Sequence, residues 1–138
     1  MIQVLLTLLL LPLLRLAMRP ARLPPERILV IQMAKIGDAV CTSPLLRQLR
    51  LALPRAHVAV LVPPLTEPVF RHNPRIDRVI VWQDQDLRRQ GGKRRLSHAL
   101  RAEAFDAVIC CNGGSLWPLV TTWAGIPTRI GIVPNYLG

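Results

Sequence analysis

The stretch RILVIQMAKIGDAVCTSPLLRQLRLALPRAHVAVLV, Arg27–Val62, decides the fold. It opens on a short apolar, β-branched run from Arg27 to Met33 (RILVIQM), the pattern of a strand buried on both faces of a parallel sheet. The loop Ala34-Lys35-Ile36-Gly37-Asp38 follows it. From about Thr42 to Leu53, Leu45, Leu46, Leu49 and Leu53 recur at helical spacing while Arg47 and Arg50 fall elsewhere, and Ser43-Pro44 suits a first turn. Pro54 ends that helix, and His57 to Val62 (HVAVLV) reads as a second strand.

Working outward, the same alternation continues. Thr66 to His72 reads as a short helix stopped by Asn73-Pro74, and Asp77 to Trp82 (DRVIVW) as a third strand. Arg94 to Ala104 forms the next helix, Phe105 to Cys110 (FDAVIC) a fourth strand, Ser115 to Ala124 a helix despite Pro118, and Thr128 to Val133 a fifth strand. This order predicts an α/β fold over residues 27–138: an open parallel sheet with helices on both faces.

Upstream lies a different kind of sequence. Residues 1–14 carry no charged side chain, and nine leucines fall between Met1 and Leu16. As a helix of ~1.5 Å per residue, fourteen residues reach about 21 Å, short of a ~30 Å hydrocarbon core; continuing to Met18 with Arg15 snorkelling brings it close. Arg15, Arg19, Arg22 and Arg27 follow the apolar run, whereas a secretory signal places its basic residues first. The expectation is a hydrophobic membrane-anchor helix over 1–18 that keeps the rest of the chain on the cytoplasmic side, with burial against the protein or a partner as the alternative. Pro20, Pro24 and Pro25 make 19–26 a stiff Pro/Arg linker.

Composition narrows the function. With 51% apolar residues in 138, one packed core is expected, and disorder, collagen, coiled coil and disulfide scaffolds are excluded. Eighteen basic residues against 8 acidic ones give +10, which favours anionic partners: phosphates, acidic lipid or nucleic acid. Aromatics are only 4%, too few for the base-stacking platforms of a single-strand binder, so nucleic acid is not expected. Cys41, Cys110 and Cys111 form no CxxC pair, and His57, His72 and His98 share no ligand spacing, so no metal is expected and the thiols read as reduced.

Ligands of such sheets bind beyond the carboxyl ends of the strands, where three features stand out. In the first loop, Gly37 permits a tight turn and close approach of a ligand, and Asp38 opens the helix, either as an N-cap or as a chemical group. Asn112-Gly113-Gly114-Ser115, before a helix, offers free amides to an anion or is simply a turn. Between Leu87 and Arg101, the six cations Arg88, Arg89, Lys93, Arg94, Arg95 and Arg101 are flanked by Asp86 and Glu103; with Gly91-Gly92 as a flexible loop they form either an anion site or a solvated face. Neither GxGxxG nor GxxxxGK[ST] is present, which counts against a nucleotide-binding domain of another sort.

The quoted stretch, followed by NPRIDRVIVW, FDAVICCNGGS and WAGIPTRIGI, resembles the amino-terminal half of glycosyltransferase family 9, the lipopolysaccharide heptosyltransferases. The likeness runs over nearly all of Arg27 to Ile132. It implies the Rossmann-like acceptor domain of a two-domain GT-B enzyme, whose carboxyl-terminal domain, absent here, binds most of the ADP-sugar. The family moves heptose from ADP-heptose to the Kdo and heptose core on lipid A, at the cytoplasmic face of the inner membrane, without a metal or other cofactor. By the same likeness Asp38 is the general base, and Lys35 neutralises phosphate charge beside it. Arg88, Arg89, Lys93, Arg94 and Arg95 then hold the acid groups of the acceptor, with Gly37, Asn112, Gly113 and Gly114 in the binding loops. The resemblance implies an anionic glycolipid acceptor, met at the membrane surface that residues 1–18 point to; the chain is then either a truncated enzyme or half of a split one whose donor domain is a separate chain. Catalysis by this chain alone is not expected. The alternative function is a non-catalytic, membrane-associated module that binds anionic glycolipid.

Removal of residues 1–18 is expected to release the domain from membranes into the soluble fraction; sedimentation of the shortened chain with membranes at high salt contradicts the anchor.

Overall fold

The computed structural model describes residues 20–113 and 116–131. The expected helix over 1–18, the site residue Gly114, Ser115, and the end of the expected fifth strand lie outside the described residues. Among the described residues five strands alternate with six helices: β1 Arg27–Ile31, α1 Ile36–Cys41, α2 Ser43–Ala52, β2 His57–Val62, α3 Glu67–Phe70, β3 Arg78–Val81, α4 Asp84–Arg88, α5 Gly92–Ala102, β4 Ala107–Cys110, α6 Leu116–Trp123 and β5 Thr128–Gly131. The sheet order is β3-β2-β1-β4-β5, and every neighbouring pair is parallel. This is the predicted class.

β1 lies at the centre because Ile28, Leu29, Val30 and Ile31 have apolar neighbours on both faces; each is at most 1% exposed. Burying such a side chain contributes about 1.5–3 kcal/mol, so this short strand is among the most stabilising segments of the chain. Val30, Val58, Val60 and Val62 face one layer, with Ala39, Leu46 and Phe70 from α1, α2 and α3. Leu29, Ile31, Ala59, Leu61 and Val108 face the other, with Leu96, Leu100, Trp117 and Val120 from α5 and α6. The chain changes faces after β3, so its crossover returns to β4 on the far side of β1. β1 and β4 are therefore the neighbours at which the winding reverses, and their carboxyl ends open a crevice.

At the opposite end of the sheet the chain is tied down by carboxylates. Asp106 Oδ2 accepts the Glu26 and Arg27 amides at 3.0 and 2.9 Å, fixing the linker's exit into β1. Burial by itself would raise the Asp77 carboxyl, but the Val58 amide and the Arg50 guanidinium bound to it hold it below its usual value. Among the described residues no helix is long and apolar enough to cross a membrane.

Three local expectations are corrected. The segment read as a loop through Asp38 becomes helical at Ile36, with Lys35 as N-cap and no side-chain capping bond. Asp38 is therefore the third helical residue and not the N-cap. Residues Asp84–Arg88 form a helix that the sequence did not announce, because it is a single turn with one buried side chain, Leu87. Gly91-Gly92 is not a flexible loop. Gly91 caps α5 in the left-handed region at φ 77°, and a Cβ on Gly92 would lie 1.7 Å from the Asp86 carbonyl oxygen. Pro118 is accommodated because it falls in the first turn of α6, where its missing N–H costs no helical bond.

Gly92→Ala is expected to lower stability by about 1–3 kcal/mol or more, because backbone must move to admit the methyl group. Gly37→Ala, with nothing within 4 Å of its Cβ, should be neutral or stabilise by up to about 1 kcal/mol. Denaturant melts of the two variants check the contrast.

Candidate functional site

Two clefts meet at the carboxyl ends of β1 and β4, and Asn112 and Gly113 line both. The first, about 650 Å³, lies between α1, α2 and the β4–β5 end of the sheet. Its walls are apolar (Leu45, Ile109, Ile130) and its polar end is built by Gln32, Asp38, Thr42 and Asn112. The second, about 690 Å³, is bordered by Asp84, Leu87, Arg88, Lys93, Leu116 and Trp117. The first cleft thus carries the Asp38 carboxylate and the second two cations beside the single carboxylate of Asp84, with a shared wall between them.

Asp38 reaches its cleft because α1 starts immediately beyond β1. The neighbouring Ala39 is fully buried and anchors the turn, leaving Asp38 exposed. No described side chain hydrogen-bonds or pairs with the Asp38 carboxylate, so its lone pairs are free to accept a proton. Lys35 and Gly37 sit on the same exposed turn but outside the residues that line either cleft. Gly37 makes no tight turn: it is helical with a negative φ, and its exposed face is open for a ligand to approach.

The basic run does not act as one patch. Arg88 and Lys93 line the second cleft. Arg89 turns to Asp86, at 3.4 Å, and Arg94 and Arg95 are exposed on α5 away from the lining. Lys93, Arg94 and Arg95 crowd the first turn of α5, which holds no acidic residue. Cations there oppose the helix dipole at roughly 0.3–1 kcal/mol each, a local conflict that an anion bound at the cleft would relieve.

The Asn112 side chain has a structural part of its own, beside the loop amides expected to meet an anion. Both ends of its amide are engaged within the protein: Oδ1 accepts the Met33 amide at 2.5 Å, and Nδ2 donates to Gln32 Oε1 at 3.0 Å. Its side chain is a brace, and Gly113, exposed and without neighbours around its Cβ position, is the part of that loop open to a ligand.

Gln32 and Thr42 were missed by the reading of the sequence. The signal for Gln32 was a single amide closing an apolar strand; only 3% exposed, it needs partners, and it finds them on three segments. The three cysteines all line the first cleft, yet Cys110 is pushed up to about 11 by burial and by Cys111 beside it, and burial also raises Cys111. Both thiols are protonated at neutral pH and are poor nucleophiles. Among the described residues no three His, Cys, Asp or Glu side chains group as metal ligands would.

Comparison with known proteins bears on the sequence and the fold. No family model matches the chain. Lipopolysaccharide heptosyltransferase 2 of Escherichia coli K12 is 29% identical over 106 residues, covering 76% of this chain and 30% of the relative. The solved ADP-heptose LPS heptosyltransferase II of E. coli is 30% identical with a TM-score of 0.67, over 76% of this chain and 30% of that one. A glycosyl transferase family 9 structure from Veillonella parvula DSM 2008 shares the fold at 24% identity and a TM-score of 0.72, over 78% of this chain and 32% of its own. The chain therefore spans about a third of the length of these relatives, and over that span the resemblance to the family holds in sequence and in fold.

Charge reversal at Arg88 or Lys93 is expected to weaken binding of a phosphorylated sugar roughly 3–10-fold, and reversal at Arg94 or Arg95 to have less effect. Calorimetry at rising salt checks this, since the affinity should fall with ionic strength.

Proposed function

We propose, from the kinship with glycosyltransferase family 9, that this chain forms the acceptor-binding half of a glycosyl transfer from an ADP-sugar of the heptose type to the lipopolysaccharide inner core. The observation that carries the proposal is the junction of the two clefts: an unpartnered carboxylate at Asp38 and a cation pair at Arg88 and Lys93, on either side of Asn112 and Gly113. An acceptor hydroxyl has to lose a proton as its oxygen attacks the anomeric carbon. A carboxylate held at the end of β1 takes it, while acid groups of the same acceptor rest on the cations. The first cleft then presents the hydroxyl and the second holds the acceptor in register.

The donor's diphosphate is assigned to the second domain of the family's fold, outside the described residues, on the same or another polypeptide. The reading also puts the protein at the cytoplasmic face of the inner membrane, where its anionic glycolipid is made. The leucine-rich residues 1–18, with Arg15, Arg19 and Arg22 around and beyond their end, support that placement.

Asp38→Asn decides between catalysis and mere binding. In a fusion that supplies the ADP-sugar domain of the family, the variant is expected to keep its melting temperature and acceptor affinity and to lose about 10² to 10⁴ in turnover, because an amide cannot accept the proton. Near-normal turnover overturns the general base and leaves a module that binds anionic glycolipid.

A further inference from the structure

We propose that Gln32 and Asn112 are positioning residues: a two-amide relay that sets α1, and with it Asp38, at a fixed distance from the cation cleft. The inference deepens the proposed function and rests on its reading of Asp38. It stands on a chain of hydrogen bonds whose direction is fixed at both ends by main chain. At one end the Met33 N–H can only donate, so Asn112 must offer it Oδ1. That turns Asn112 Nδ2 toward Gln32, whose Oε1 accepts it at 3.0 Å. Gln32 Nε2 is left with two hydrogens, which go to Thr42 Oγ1 at 2.6 Å and to the Asp38 carbonyl at 3.2 Å. The Thr42 hydroxyl, having accepted from Gln32, donates its own hydrogen to the same Asp38 carbonyl at 2.9 Å.

Three features make this more than ordinary polar satisfaction. The relay joins segments far apart in the chain, since Asn112 and Gln32 are 80 residues apart. It ends on the peptide of the one residue whose free carboxylate lines the first cleft, although α1 could have been held by its own backbone bonds. And its other end, Asn112, lines both clefts. α1 has six residues, no side-chain cap and few backbone bonds of its own, so these contacts from Gln32 and Thr42 are a large share of what holds it.

A glutamine is required by this arrangement, because the site needs an acceptor and two donors on one short planar group. Gln32→Leu fills the same space with neither. Gln32→Glu keeps the acceptor, but an ionised carboxylate has no hydrogen for Thr42 or Asp38; once protonated, it donates one bond again.

The test is solution NMR of the full chain. In Gln32→Leu, amide exchange protection within α1, read at Ala39, is expected to fall about 10-fold while Val60 in β2 stays within about twofold, and the Asp38 side-chain carboxyl resonance should move. In Gln32→Glu, the α1 amide resonances should be displaced at neutral pH and return toward their wild-type positions as the introduced carboxyl protonates, a return that Gln32→Leu cannot show. Inorganic pyrophosphate should bind both variants with wild-type affinity, since Arg88 and Lys93 do not depend on the relay. Protection lost evenly across the sheet, or an unmoved α1 and Asp38, overturns the relay. Near-normal turnover of Asp38→Asn alongside the expected NMR changes overturns the general base alone and leaves the relay standing.

Discussion

A strand paired on both sides and buried on both faces has no freedom left, and β1 is such a strand. Its amides and carbonyls are taken by β2 and β4, and its side chains are closed in by helices above and below. Whatever follows its last residue is delivered to one place. In this protein that is Gln32, still buried and still bonded to β2 through the Leu61 carbonyl, and then the turn that carries Asp38. The position of the carboxylate is thus inherited from hydrophobic packing several residues earlier.

The same logic explains why two different clefts meet. Because the chain reverses its winding between β1 and β4, the loops beyond those strands diverge to opposite layers, one toward α1 and α2 and one toward α6. The space they leave is shared, and Asn112 and Gly113 stand in its middle. α4 and α5 then bring cations to the second cleft. The sharp passage between those helices, where the Asp86 carbonyl meets Gly92, holds the start of α5 in place. A wider turn would leave Lys93 on a mobile arm. Chemistry that needs an anion held at one point and a proton removed at another finds both points on rigid elements.

Much of the polar cost of the site is met internally. A buried glutamine amide bonded to a half-buried asparagine could have been a weakness, since one unmade bond in a low-dielectric interior is expensive. Here every donor and acceptor of Asn112 that the structure engages faces a partner of the right kind, and main-chain groups at both ends leave no choice of orientation. Such satisfied polar networks specify one arrangement, whereas apolar packing alone tolerates several.

The sequence by itself determined the class and order of elements. Continuous apolar, β-branched runs and leucines at helical spacing are local signals, and RILVI, HVAVLV and the stripe on α2 were legible for that reason. It also pointed to Asp38 and to the basic run, through residue type and the likeness to family 9. Only the tertiary structure decided which of those residues work together. Lys93 faces the cleft while Arg94 and Arg95 do not, because a helix turns 100° per residue and the rotation of α5 is fixed by Leu96 and Leu100 in the core; Arg88 is carried there by α4, whose Leu87 joins the same core. Asp38 moved from cap to third helical position because α1 packs Ala39 against the sheet, a contact that no local propensity records. The bracing by the Asn112 side chain was not legible locally because its partners, Met33 and Gln32, lie some 80 residues away along the chain, and pairing across that distance exists only once β4 has docked beside β1.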